Sequence, residues 1–132
     1  MVILMMIQEV LPLLNIEFSQ VTFNIIGEGK GLKNIKAETK KLNEKVNRNI
    51  CNVLGFQPEV KEIFRKSSLV LGVGRVALEA LVCGAPVISI NQKRLGSLIT
   101  PYNYTAYKDQ NFIAVQSNVP TSLEFIPMIS DF

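Results

Sequence analysis

The sequence predicts an α/β fold in which a parallel sheet lies between two layers of helices. Four short apolar segments, rich in β-branched residues, alternate with segments of helical periodicity. This alternation is typical of parallel sheets buried on both faces. Glycines stand at the ends of three of these segments, where such sheets bind their ligands. The chain has 132 residues, 48% of them hydrophobic, which is enough for one such domain.

The elements are expected in a regular order. The first is an apolar helix, and the second helix is amphipathic, with Leu32, Ile35, Leu42 and Val46 on its buried face. A third helix opens at Pro58, and a fourth, which follows Gly74, is apolar nearly all round and should be buried. The predicted segments are helix 1–14, strand 20–26, the amphipathic helix, strand 50–54, helix 58–66, strand 69–71, the buried helix, strand 86–90, helix 102–110 and strand 111–116. The domain should span 1–117, with 118–132 as a tail.

The positive charge of the chain is concentrated in one segment. The net charge is +3, but the segment from Lys30 to Arg48 carries seven basic and two acidic residues and is therefore +5. Such a stripe could attract nucleic acid or an anionic membrane. No aromatic residues interleave with the lysines, so a solvated helix face is favoured and no nucleic-acid partner is expected.

Residue types that are absent exclude several classes of chemistry. There is no histidine, which removes the usual general base and the commonest metal ligand. Cys51 and Cys83 have no C-x-x-C spacing, and we interpret them as reduced core residues of a cytoplasmic protein. The apolar start is interrupted by Gln8, Glu9 and Pro12, which makes it too short for a transmembrane span. The inner membrane surface is the alternative location to the open cytoplasm.

The most informative segment is the turn Gly72-Val73-Gly74 between a strand and a helix. Its glycines would let the backbone approach a ligand, and the free N–H groups of the helix would face a phosphate. Glu79 lies about one turn further on, where it could accept hydrogen bonds from a ribose. Two alternatives remain: a nicotinamide site, since G-x-G-x-x-A also matches a dinucleotide fingerprint although no acid ends the next strand, or a merely structural tight turn.

A longer pattern carries a family resemblance. Gly27-Glu28-Gly29, then Gly55-Phe56, then the block from Gly72 to Ile88 occur in this order. The last block reads G-V-G-R-V-A-L-E-A-L-V-C-G-A-P-V-I. Together they resemble the C-terminal, donor-binding domain of family 4-type glycosyltransferases, a Rossmann-like half of the GT-B fold. The resemblance covers about residues 5 to 110 and is most specific in the last block.

The resemblance implies a site for a nucleoside diphosphate sugar, possibly a UDP-linked one, with no cofactor and no metal. Glu79 would bind the ribose hydroxyls, Gly55 and Phe56 would line the base, and Gly27 and Gly29 would form a loop on the same rim. The diphosphate would face the residues of the turn and the first amides of the helix, namely Gly72, Val73, Gly74, Arg75 and Val76. No catalytic residue is assigned.

Departures from the family pattern predict a loss of activity. Leu71 stands where the family has the first of its two glutamates, which contacts the transferred sugar. The family's G-R-x…K segment and its acceptor-binding domain do not occur in this chain. We therefore expect an N-terminally truncated fragment that binds the donor of a hexosyl transfer but is inactive alone. It should self-associate or need a partner chain that completes its sheet. The alternative is a non-catalytic α/β interaction module from a truncated gene.

Overall fold

The computed structural model describes residues 2–90 and 95–111. They form two compact units that divide between Pro58 and Glu59. The first unit contains α1 (Val2–Met5), a π-helical segment (Met6–Val10), α2 (Leu11–Glu17), β1 (Phe23–Ile26), α3 (Leu32–Val46) and β2 (Cys51–Gly55). The second contains α4 (Lys61–Lys66), β3 (Val70–Gly72), α5 (Arg75–Val82), β4 (Val87–Ile90), β5 (Leu95–Leu98) and α6 (Tyr104–Asp109).

The N-terminal helical stretch ends at Glu17 and not near residue 14 as predicted, and Pro12 lies in its interior. A proline in a helix lacks its N–H and crowds the carbonyl one turn before it. Here Met6–Val10 forms a wider, π-helical turn, in which the N–H of Leu11 donates a hydrogen bond to the carbonyl of Met6. α2 then continues to Glu17. Its buried side chains, like those of the π-helical segment, form the core of the first unit: Met6, Ile7, Val10, Leu11 and Leu14.

β1 and β2 pair in parallel, with Phe23 opposite Cys51, and α3 is their crossover helix. β1 begins three residues later than expected because the N–H of Val21 closes a turn onto Phe18. The amphipathic prediction for α3 is confirmed: Ile35 and Leu42 are buried. Arg48 is half-buried and donates to Asn15 (2.9 Å) and to the carbonyl of Val21. The solvated face therefore consists of the exposed lysines Lys33, Lys36, Lys40, Lys41 and Lys45.

The outer edge of β2 is closed by a side chain of α3. The N–H of Phe23 bonds to the carbonyl of Ile50, so the N–H and C=O of Cys51 point away from β1. The Asn43 side chain forms a hydrogen bond with each of these groups: its Nδ2 donates to the Cys51 carbonyl (2.9 Å) and its Oδ1 accepts from the Cys51 N–H (3.0 Å). This carboxamide replaces a neighbouring strand at that point, which is one way of blunting a sheet edge.

The second unit is built on a sheet with the order β3-β4-β5. β3 and β4 are parallel and are connected through α5, whereas β4 and β5 are antiparallel. A core of Phe64, Val70, Ala77, Ala80 and Val87 joins α4 and α5 to this sheet. α4 begins at Lys61 and not at Pro58, because the first helical bond runs from the N–H of Phe64 to the carbonyl of Val60.

The predicted burial of the helix after Gly74 is wrong. Only Ala77 and Ala80 of α5 are buried, because these small residues let the helix lie close to the strands. Val76, Leu78 and Val82 are 46%, 40% and 80% exposed. Leu78 and Val82 lie one helical turn apart on the same face of α5, whereas Val76 lies on a different side of the helix.

The mixed α/β class with parallel strands is confirmed, and the sheet differs in two details. The described strands form two sheets, one in each unit, and not the single sheet that was expected. β5 was not predicted, because Gly96 and Ser97 have low strand propensity; the strand is held by the pairing of Leu95 and Leu98 with β4. Among the described residues no helix is long and apolar enough to cross a membrane. The predicted strand 111–116, except for Asn111, and the tail 118–132 lie outside the described residues.

Asn43→Ala should destabilise the protein. Removal of the carboxamide leaves the N–H and C=O of Cys51 without their partner, which costs about 1–3 kcal/mol in the free energy of unfolding. Asn34→Ala, at an exposed position of the same helix, is the control and should change it by less than about 0.5 kcal/mol. Urea unfolding of both variants measures the difference. Equal stability of Asn43→Ala and the wild type would show that the edge of β2 does not need this side chain.

Candidate functional site

The turn between β3 and α5 has a conformation that only glycine adopts readily. Gly74 has φ 60° and ψ −130°, which a Cβ atom would make strained. It stands immediately before the first residue of α5, while the preceding Val73 is 38% exposed. The chain thus leaves β3, reverses at Gly74 and enters the helix within two residues.

The N-terminus of α5 is open for hydrogen bonding. The first bond of the helix joins the N–H of Leu78 to the carbonyl of Gly74 (3.2 Å), and no side-chain cap is formed among the described residues. The N–H groups of Arg75, Val76 and Ala77 therefore have no acceptor within the helix. Together with the positive end of the helix dipole, they favour an anion at this position.

Gly72 allows the turn to pack closely. A Cβ atom on Gly72 would lie 3.1 Å from Cγ1 of Val76 and 3.4 Å from the backbone nitrogen of Ala77. The space that its missing side chain leaves is therefore filled by the first turn of α5. Gly72 thus permits α5 to approach the end of β3 closely.

Asn111 lies at this turn and was not singled out by sequence reasoning. A Cβ atom on Gly74 would be 3.4 Å from Nδ2 of Asn111 and 3.7 Å from its backbone carbonyl oxygen. Asn111 follows the C-cap of α6 in the left-handed conformation, with φ 53°, and its N–H closes the helix onto Lys108 (3.1 Å). No motif signals this contact, because 36 residues of chain separate Gly74 from the C-cap of α6.

Glu79 is accessible and already accepts one hydrogen bond from a neighbouring side chain. Its Oε1 accepts a hydrogen bond from Nε of Arg75 at 3.2 Å, in an ion pair across one helical turn. The Arg75 side chain is 90% exposed and that of Glu79 is 40% exposed, so the pair contributes little to stability. The Arg75 side chain thus lies along α5 beside Glu79, whereas Leu71, half-buried in β3, offers no carboxylate.

The predicted residues of the first unit form a second group. The N–H of Gly27 donates to the carbonyl of Gly55 (2.8 Å), so that the carboxyl ends of β1 and β2 meet. A Cβ atom on Gly27, Gly29 or Gly55 would meet no atom within 4 Å. Phe56 is 68% exposed. These residues form an open rim at the end of the strands.

An open groove also lies between α3 and β2. None of the predicted site residues lines it, and its walls are mainly lysine and asparagine side chains: Lys36, Lys40, Asn43, Asn47, Asn49 and Asn52. Burial raises the pKa of the adjacent Cys51 thiol, which disfavours a nucleophilic thiolate there. Both cysteines are free. The residues that the structure describes contain no group of three potential metal-ligating side chains of the His, Cys, Asp or Glu type.

Comparison with known proteins identifies one family. The family model described as "Glycosyl transferases group 1" matches residues 5–119. No curated protein and no solved structure matches the chain. The match spans both glycine groups described above.

Gly74→Ala should destabilise the turn. An alanine at this backbone conformation is strained by about 1–3 kcal/mol. Gly29→Ala is the matched control, because Gly29 has no positive φ and open space around it. It should leave the free energy of unfolding within about 0.5 kcal/mol of the wild type. Thermal and urea unfolding compare the two, and equal losses would contradict a special requirement at Gly74.

Proposed function

Because the chain belongs to the group 1 glycosyltransferases, we propose that it binds the nucleoside diphosphate part of a sugar donor, as the donor-binding domain of a family 4-type enzyme does. The observation that carries this proposal is the uncapped N-terminus of α5 after the Gly74 turn. A diphosphate has the charge and the acceptor oxygens that the N–H groups of the exposed residues Arg75 and Val76 require. UDP is the first candidate nucleotide.

Glu79 suits the ribose in this proposal. An ionised carboxylate only accepts hydrogen bonds, and the two adjacent hydroxyls of a ribose are donors. Glu79 lies one helical turn after Arg75 and keeps a 40% exposed side chain. The hydrogen bond from Arg75 occupies Oε1 and leaves further acceptor positions on the carboxylate.

The open rim of Gly27, Gly29, Gly55 and Phe56 supports a role in binding the base. The absence of Cβ atoms leaves space at the ends of β1 and β2. The exposed ring of Phe56 offers an apolar face for a flat heterocycle. This part of the proposal rests on the first unit alone, and substitutions there test it separately.

Transfer of the hexosyl group needs more than donor binding. The bond between the sugar and the diphosphate breaks with negative charge on the leaving phosphate, and that charge must be stabilised while the acceptor is held in line. Arg75 is engaged with Glu79, and Leu71 replaces a carboxylate that would hold the sugar. We therefore propose that this chain by itself binds the donor but does not transfer the sugar.

An interaction module is the second candidate, because apolar side chains of two helices are exposed. Ile16 on α2 is 81% exposed and Val82 on α5 is 80% exposed. Such residues favour association with a second copy or with a partner chain. For the location we propose the cytoplasm, with the inner membrane surface as the alternative that the exposed lysines of α3 would suit.

Nucleotide binding tests the first candidate. UDP, GDP and ADP are titrated into the full chain by calorimetry, and at least one should bind and raise the melting temperature. Glu79→Gln should weaken that binding by roughly tenfold, because hydrogen bonds to a charged acceptor are lost. Glu62→Gln is the control, since Glu62 also pairs with an arginine one turn away, Arg65, and should bind like the wild type.

Three outcomes would contradict the donor-binding proposal. The first is the absence of a response to every nucleoside diphosphate. The second is wild-type affinity in the Glu79→Gln variant. The third is tighter binding of NAD than of any nucleoside diphosphate, which would instead favour a nicotinamide site at the same turn.

Self-association tests the second candidate. Sedimentation velocity of the wild type over a range of concentrations should reveal dimers or larger species. The double variant Ile16→Lys, Val82→Lys should shift the chain toward monomer. Because both side chains are exposed, the free energy of unfolding should change by less than about 0.5 kcal/mol per substitution. A wild type that stays monomeric at every concentration would argue against association between copies.

A further inference from the structure

Asn111 adds a side-chain donor to the turn that begins α5. Its carboxamide nitrogen lies 3.4 Å from where a Cβ atom of Gly74 would be. Gly74 is the residue directly before the three N–H groups that lack a helical acceptor. A side-chain NH₂ group is a hydrogen-bond donor, as the backbone N–H groups are. The turn therefore has a side-chain donor from the end of α6 beside the residue that precedes the exposed N–H groups of Arg75 and Val76.

The backbone of Asn111 does not explain its side chain. A residue after a helix C-cap that adopts the left-handed conformation is most often glycine and sometimes asparagine. Glycine would satisfy the φ of 53° and the bond of the N–H to Lys108 equally well. Asparagine adds a carboxamide, and among the described residues this carboxamide forms no hydrogen bond with the protein. It is exposed and thus available to a ligand.

We propose that Asn111 is a further donor-binding residue, which donates a hydrogen bond from Nδ2 to a phosphate oxygen of the nucleotide lying at the α5 turn. This inference rests on the proposed function and adds one residue to it. The chemistry sets the expected selectivity. An amide donor strengthens the binding of a phosphate, whereas a carboxylate in its place repels the phosphate. The affinity for a nucleoside without phosphate should not change in either case.

The test compares two variants that keep the backbone conformation. Asn111→Gly retains the left-handed residue and removes the carboxamide, and Asn111→Asp keeps its shape but replaces the donor with a negative charge. In calorimetric titrations of the full chain, the glycine variant should bind UDP about threefold to tenfold more weakly. The aspartate variant should lose about tenfold or more, because repulsion between like charges is added.

Uridine and a second asparagine provide the controls. Uridine has no phosphate and would therefore make no hydrogen bond to Asn111. Its affinity should stay within about twofold of the wild-type value in both variants. Asn47 follows α3 in the same left-handed conformation, with φ 57°, and Asn47→Gly and Asn47→Asp should bind UDP like the wild type. Melting curves of all four variants confirm that the fold is kept.

The possible failures are distinguishable. Wild-type affinity for UDP in Asn111→Asp overturns the inference and leaves the proposed function intact. An equal loss of UDP and uridine binding in that variant also overturns it, because the effect would then not involve phosphate. A wild type that binds no nucleoside diphosphate overturns the proposed function and this inference together.

Discussion

The conformation of Gly74 is the constraint on which the rest of the candidate site depends. With φ 60° and ψ −130°, the chain turns from β3 into α5 without an intervening loop. The helix then begins directly at the end of the strand, and the side chain of Val76 fills the space beside Gly72. The same turn leaves the first N–H groups of α5 without a cap and admits Asn111 against the glycine. Packing, the polarity of the site and the contact with α6 thus follow from one glycine.

The site is well suited to binding and poorly suited to chemistry. Backbone N–H groups at a helix N-terminus attract a phosphate without any charged side chain. The charged pair that accompanies them, Arg75 and Glu79, is accessible and is joined by one hydrogen bond. Stabilising a departing diphosphate requires preorganised positive charge, and the described residues around the turn offer little beyond Arg75. The chain belongs to the group 1 glycosyltransferases, and our proposal that it binds the donor without transferring the sugar rests on these residues of the turn.

Local patterns in the sequence predict the elements well and their environment less well. The alternation of strands and helices, the buried face of α3 and the glycines that end the strands all depend on neighbouring residues, which periodicity and turn chemistry describe. The errors have tertiary causes. The π-helical turn accommodates Pro12, β5 exists because β4 pairs with it, and only the alanines of α5 are buried. Asn111 was missed for the same reason, because its contact with Gly74 arises from packing and not from sequence proximity.

The most direct test of the central claim observes the backbone amides themselves. In a ¹⁵N-labelled full chain titrated with UDP, the amide resonances of Arg75 and Val76 should shift with the saturation of one site, because their exposed N–H groups receive the phosphate oxygens. The resonances of Lys36 and Lys40 on α3 should not follow that curve. Shifts confined to the lysine face of α3, with the amides of the α5 turn unchanged, would contradict the account.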